Sequence, residues 1–237
     1  TLGFTNNLHT GYNEIQAGTL AVSADGCLGT APAAWRSGNI NIWSGSTLQF
    51  TETCTLHTNR GLLLGNVSTP YITVNSGKTV TFGGIMEGSA EWHKLGDGTL
   101  FLSGNNSTNT GKVSIEAGTL RLGTTGSLGR ITSFAPQVNA WSSGILEFTN
   151  TWTLSTNVVI ELGAVDGPRI SVQDNSTNTW AGVLSGNAAW SKIGNGNLNL
   201  SGSQTNEGAL VISNGAVRAA HANALGTTAG GTTVRSG

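Results

Sequence analysis

The feature that most constrains this chain is that it repeats itself. Ala90-Glu91-Trp92-His93-Lys94-Leu95-Gly96-Asp97-Gly98-Thr99-Leu100 returns, 98 residues later, as Ala188-Ala189-Trp190-Ser191-Lys192-Ile193-Gly194-Asn195-Gly196-Asn197-Leu198. The same offset carries Leu48 and Phe50 to Leu146 and Phe148, and Pro70, Ile72 and Val74 to Pro168, Ile170 and Val172. About 23 of the 52 positions from 47 to 98 are identical to their counterparts from 145 to 196. A third copy opens at Asn197 and is cut off at Gly237, so the chain reads as copies 1–98, 99–196 and a partial 197–237. Self-similarity at a fixed period marks stacked architectures, in which each unit buries its apolar face against its neighbours.

Each copy is itself subdivided. Short alternating runs such as Thr47-Leu48-Gln49-Phe50, Tyr71-Ile72-Thr73-Val74 and Lys78-Thr79-Val80-Thr81-Phe82 are separated by Gly, Asn and Ser clusters. Alternation bounded by turn residues predicts strands joined by tight turns. A string of sandwiches and one solenoid both fit a unit of this length. The solenoid is favoured because no Pro-rich or charged linker separates the copies, and the junction Gly98-Thr99-Leu100 is itself strand-like. Three strands with their turns take roughly 24 residues, so the expectation is an all-β parallel β-helix. It would have about nine or ten coils, form a single continuous segment over 1–237, and make a rod of roughly 45 Å.

Composition agrees and removes several function classes. Of 237 residues 35 are glycine, and only 10% are charged while 37% are hydrophobic. Glycine and the β-branched residues are poor helix formers, and disorder requires low hydrophobicity with high net charge. With a net charge of −1 and 11 scattered Lys and Arg, nothing here follows a phosphate backbone, so no nucleic-acid partner is expected. No apolar stretch approaches the roughly 18 residues of a spanning helix, which predicts no membrane insertion by this segment. Thr1 to Thr10 lacks the charged start and apolar block of a signal peptide, and the chain reads as a segment that begins and ends in mid-pattern.

One stretch has a known look. Lys94, Gly96, Gly98-Thr99-Leu100, Leu102-Ser103-Gly104-Asn105-Asn106, Asn109-Thr110-Gly111, Ala117-Gly118-Thr119-Leu120 and Leu128-Gly129 together resemble the autotransporter-associated β-strand repeat. The resemblance recurs at Lys192, Gly194, Gly196, Leu200-Ser201-Gly202, Asn214-Gly215 and Leu225-Gly226. It is looser at Thr1-Leu2, Thr10-Gly11, Ala17-Gly18-Thr19-Leu20 and Leu28-Gly29. The resemblance implies a right-handed parallel β-helix displayed outside a bacterial cell, as a structural or adhesive passenger segment without catalytic activity. Its expected partners are further copies of the repeat or flanking solenoid, and a host or matrix glycan or protein. A fold does not by itself fix a function.

Parallel β-helices include polysaccharide lyases and hydrolases, and such chemistry needs several titratable groups converging on one groove. The nearest cluster in sequence is Glu87, Glu91, His93, Lys94 and Asp97. Its copy reads Ser185, Ala189, Ser191, Lys192 and Asn195, so only the lysine repeats. A solvated turn is the simpler reading. His9, His57, His93 and His221 fall on no metal-ligand spacing, and no phosphate loop or nucleophile elbow is present. Catalytic residues, metal ligands and cofactors are therefore not expected, and a carbohydrate-active β-helix is the rival reading. Trp92, Lys94, Gly96 and Gly98, with Trp190, Lys192, Gly194 and Gly196, are expected to be structural repeat positions. Trp35, Trp43, Trp141, Trp152 and Trp180 are read first as packing under turns, and second as candidates for an exposed glycan-stacking or partner surface.

The step from Cys27 to Cys54 equals the step from Gly18 to Gly45. A coil of that length stacks the two cysteines on adjacent turns, about 4.8 Å apart, within disulfide reach. Their counterparts in the second copy are Ser127 and Trp152, so both cysteines are absent together. A Cys27–Cys54 bond is the expectation for an extracellular chain.

Overall fold

Residues 6–43, 45–65, 69–105, 108–129, 136–141, 143–163 and 167–235 are described by a computed structural model of the 237-residue chain. Thr1, Leu2 and Asn106, which belong to the repeat pattern, lie outside them. The chain divides into two compact units, Thr1–Val113 with Gly126–Arg130, and Ser114–Thr125 with Ile131–Gly237.

In the first unit three parallel sheets are laid down in turn. Asn13–Ile15, Arg36–Ile42, Arg60–Leu64, Met86–Gly88 and Thr108–Asn109 form the first. Thr19–Val22, Thr47–Phe50, Tyr71–Val74 and Trp92–Leu95 form the second, and Cys54–Leu56, Thr79–Phe82 and Thr99–Leu102 the third. A 3-10 turn, Asp25–Leu28, lies against the strand Cys54–Leu56.

The second unit is built the same way. One sheet runs through Thr119–Leu122, Ile145–Phe148, Arg169–Val172, Trp190–Ile193, Leu210–Ile212 and Thr232–Val234. A second holds Pro136–Ala140, Val159–Leu162 and Val183–Gly186. The third holds Trp152–Leu154, Thr177–Trp180, Asn197–Leu200 and Ala216–Ala219.

Each unit is by itself an all-β parallel β-solenoid. Among the described residues every strand pairing within either unit is parallel, which rules out antiparallel sandwiches there. Coil length is not constant. Leu20 pairs with Leu48, Leu48 with Ile72 and Ile72 with Lys94, so successive turns of the first unit grow shorter.

The alternating pattern explains the core. In Thr47–Phe50 the side chains of Leu48 and Phe50 are buried while Thr47 and Gln49 are not, and Thr79–Phe82 and Ile145–Phe148 follow suit. Because strands stack in register, like positions form inward columns. Val22, Phe50 and Val74 make one, and Leu122, Phe148 and Val172 another. Each buried Leu, Val or Phe contributes about 1.5–3 kcal/mol relative to exposure.

Candidate functional site

The motif repeated most faithfully is inward-facing. In Trp92–Leu95 and in Trp190–Ile193 the tryptophan and the lysine are buried and the intervening residues are not. Lys94 occupies a column position beside Ile72, and Lys192 stands between Ile170 and Ile212. Each four-carbon stem packs like an aliphatic side chain, and its ammonium is delivered to a corner of the coil. There Lys94 Nζ donates to the carbonyls of Leu95 (2.8 Å) and Gly96 (2.7 Å). Lys192 Nζ donates to those of Ile193 (2.9 Å), Gly194 (2.6 Å) and Asn214 (3.1 Å). Desolvation pulls Lys94 down to about 8 against the opposing pull of Asp97, and burial takes Lys192 to about 8 as well.

The expectation of a solvated turn therefore fails for Lys94, which is fully buried. The glycines of the motif serve the same corner. A Cβ on Gly96 would strike the carbonyl oxygen of Val74, and one on Gly194 that of Val172, at backbone φ of 71° and 73°. Cβ atoms on Gly98 and Gly196 would meet the carbonyls of Asn75 and Gln173.

Of the rest of the sequence cluster, Glu91 and His93 stay together at 3.9 Å and Asp97 is close enough to act on Lys94. Glu91 pairs with Lys112 at 3.1 Å, Glu87 accepts a hydrogen bond from Ser37 Oγ at 2.6 Å, and His93 lies against the ring of Tyr71. Among the described residues no group of three His, Cys, Asp or Glu could hold a metal ion.

Both cysteines carry free thiols. Cys27 is buried in the turn Asp25–Leu28, and Cys54 opens the strand against which that turn packs. Burial, with lesser pushes from Asp25 and Cys27, raises Cys54 to about 11. Burial also pushes Cys27 up, but hydrogen bonds from the Ser23 hydroxyl and nearby backbone outweigh it and leave that thiol below its ordinary value.

Sequence reasoning missed Arg60, whose side chain is fully buried. Its Nε donates to Asp25 Oδ1 at 2.6 Å and its Nη2 to Asp25 Oδ2 at 3.1 Å. Nη1 reaches Asn39 Oδ1 (2.9 Å), and Nη2 the Gly29 carbonyl (2.7 Å). A signal was available: the second copy has Thr125 and Val158 at these places, so acid and base disappear together.

Outward, the first sheet of the first unit carries a column of its own. Glu14, Asn41, Leu63, Glu87 and Thr108 stand in register on successive strands. Trp43 lies over Gly65 and donates its Nε1–H to Glu14 Oε1 at 2.8 Å. On the other flank Tyr12 is 59% exposed and carries the Arg36 guanidinium 3.8 Å from its ring centre. The register of Arg36–Ile42 slips between Arg36 and Ile40, with Gly38 at φ 58°. That irregularity opens a groove of about 300 Å³ lined by Tyr12, Glu14, Ser37, Gly38, Asn41 and Leu63. Of the other tryptophans, Trp35 is exposed, while Trp152 and Trp180 place their rings edge-on against Phe148.

Residues 93–122 and 191–219, which hold the two buried-lysine corners and the strands after them, both match the passenger-associated-transport-repeat. Two segments of the chain thus carry the pattern of that repeat. It is also similar, at 27% identity over 230 residues, to the adhesin BmaC autotransporter of Brucella suis biovar 1 (strain 1330). That alignment takes in 92% of this chain and 6% of the relative, so the chain spans a small fraction of the length of the protein it matches. No solved structure matches it. No helix among the described residues is long and apolar enough to cross a membrane.

Proposed function

We propose that this chain is a structural and adhesive segment of a bacterial surface or secreted protein, one continuous stack over 1–237 that carries no catalysis. The observation that supports this reading most is the passenger repeat placed at corresponding corners of parallel coils. There the best-kept residues, Lys94 and Lys192, spend their charge inside the protein. A repeat whose most faithful positions face inward serves to hold a surface in place. In this reading further coils of the same kind cover the end strands, since a bare strand edge pairs with more of the same. The contact offered to a host or matrix is on the outer faces.

The test is direct. Beads coated with the 237-residue chain should attach to host cells or matrix, and the chain should leave polysaccharides of plant, animal and bacterial origin at their original length. Shortening of any of them would make it an enzyme.

A further inference from the structure

We propose that the outward groove of the first unit, between Tyr12 and Trp43, binds a neutral hexopyranose-containing oligosaccharide. The inference rests on the adhesive reading above and names its ligand class.

The floor of the groove is rich in acceptors. Glu14, Ser37 and Asn41 line it, and Glu87, further along the same outward column, accepts from the Ser37 hydroxyl at 2.6 Å. The Glu14 carboxylate keeps lone pairs beyond the one that takes the Trp43 Nε1–H, and a donor-rich ligand can use them. Sugar hydroxyls are donors, and a carboxylate accepts from them in short, charge-assisted bonds. The flanks supply the complementary feature. Tyr12 lines the groove with exposed aromatic surface, and the half-exposed Trp43 is bonded to Glu14 just beyond it. Aromatic rings with a polar tip suit a ligand that is apolar on one face and polar at its edge. A pyranose ring has that character. The volume, about 300 Å³, lies at the lower end of the range for small-molecule sites.

Charge chooses among sugars. The Glu14 carboxylate in the lining, with that of Glu87 behind Ser37, repels sialylated or sulfated glycans, and Arg36 at the Tyr12 rim opposes a polycationic peptide. The repeat itself does not require these residues. Counterparts in the second copy are Lys112 for Tyr12, Ser114 for Glu14, Glu161 for Leu63 and Ser185 for Glu87. Trp141 is kept, and it lies over Gly163 as Trp43 lies over Gly65. Asn41 is kept too, as Asn139, while the Tyr12, Glu14 and Leu63 of the lining belong to the first copy alone.

The experiment is an array of neutral hexose and N-acetylhexosamine oligosaccharides, beside sialylated and sulfated versions of the same cores and a lysine-rich peptide. Retained neutral oligosaccharides are then titrated into the whole chain by calorimetry. Binding of neutral oligosaccharides, weakened at least tenfold by Tyr12→Ala and by Glu14→Gln but unchanged by Glu161→Gln, would support the proposal. Tyr12 is exposed, and Glu14→Gln keeps an acceptor for Trp43, so both variants should fold, which circular dichroism checks. Binding of none, preference for the anionic versions or the peptide, or equal binding by the variants would overturn it. Bead attachment separates the two readings: if parent and Tyr12→Ala beads attach alike, the groove fails and the adhesive reading stands. If parent beads attach to nothing while the array result holds, the adhesive reading fails and the groove stands.

Discussion

Arg60 grips Asp25 with two prongs, Nε to Oδ1 at 2.6 Å and Nη2 to Oδ2 at 3.1 Å, across the coil that separates them in sequence. The pair ties the turn Asp25–Leu28 to the strand Arg60–Leu64, and the same guanidinium satisfies the carbonyl of Gly29. Removing one partner strands the other charge. Asp25→Ala should lower the stability of the first unit by about 3–5 kcal/mol, the usual penalty for breaking a buried pair. Asp25→Thr with Arg60→Val, the pairing the second copy uses, should lose clearly less than the two single changes summed. Urea unfolding of the four proteins checks this, and additive losses would mean that the two residues act independently.

The buried lysines make stability depend on pH, with a definite sign. Both are lowered from 10.5 to about 8 in the folded chain. Between those values the unfolded chain binds more protons than the folded one, so stability must rise with pH through that window. Below pH 8 each lysine is charged in both states and the unfavourable desolvation is present in full. By pH 10.5 it is relieved, a gain on the order of 3 kcal/mol per lysine. Urea midpoints measured from pH 7 to 10.5 should climb, and Lys94→Met should remove part of the slope. A midpoint that falls steadily over this range would contradict the assignment.

The inward columns were legible because period-two alternation needs no tertiary knowledge: Leu48 and Phe50 announce their face by themselves. Lys94 was not legible, because polarity alone places a lysine in water. Only its register beside Ile72 shows the stem replacing a core aliphatic. Arg60 hid for the same reason. The groove was out of reach for another: Glu14, Asn41, Leu63 and Glu87 are separated by unequal steps, since the first sheet holds a slipped strand and coils of different length. A constant step along the sequence cannot align them.

Glycine substitutions separate strain from collision. Gly77 has φ 72° with open space where a Cβ would go, whereas Gly96 has φ 71° with the Val74 carbonyl in the way. Both conformations are unfavourable for alanine, by about 1–2 kcal/mol. Gly77→Ala should stop there, while Gly96→Ala must also displace the preceding coil and should lose more than the backbone strain alone. Thermal or urea unfolding of the two variants distinguishes them, and equal losses would show that the corner yields freely.

Cys27 and Cys54 form a pair of unlike thiols, one below its ordinary value and one raised to about 11. In thiol–disulfide exchange the thiolate attacks and access limits it. Once local opening of the turn Asp25–Leu28 uncovers the buried Cys27, its thiolate cleaves a small disulfide such as oxidised glutathione, expelling one glutathione thiolate and keeping the other in a mixed disulfide. Cys54 then displaces the glutathione thiolate, which leaves as the reduced product. Two protons and two electrons pass to the oxidant, and the turn Asp25–Leu28 becomes covalently tied to the strand Cys54–Leu56. Closing a loop of this length in the unfolded chain should stabilise the fold by about 3 kcal/mol. Protein incubated with oxidised glutathione and then alkylated should show an intact mass with no label and two hydrogens fewer, and a higher urea midpoint. Two labelled thiols after that treatment would mean that the sulfurs do not meet.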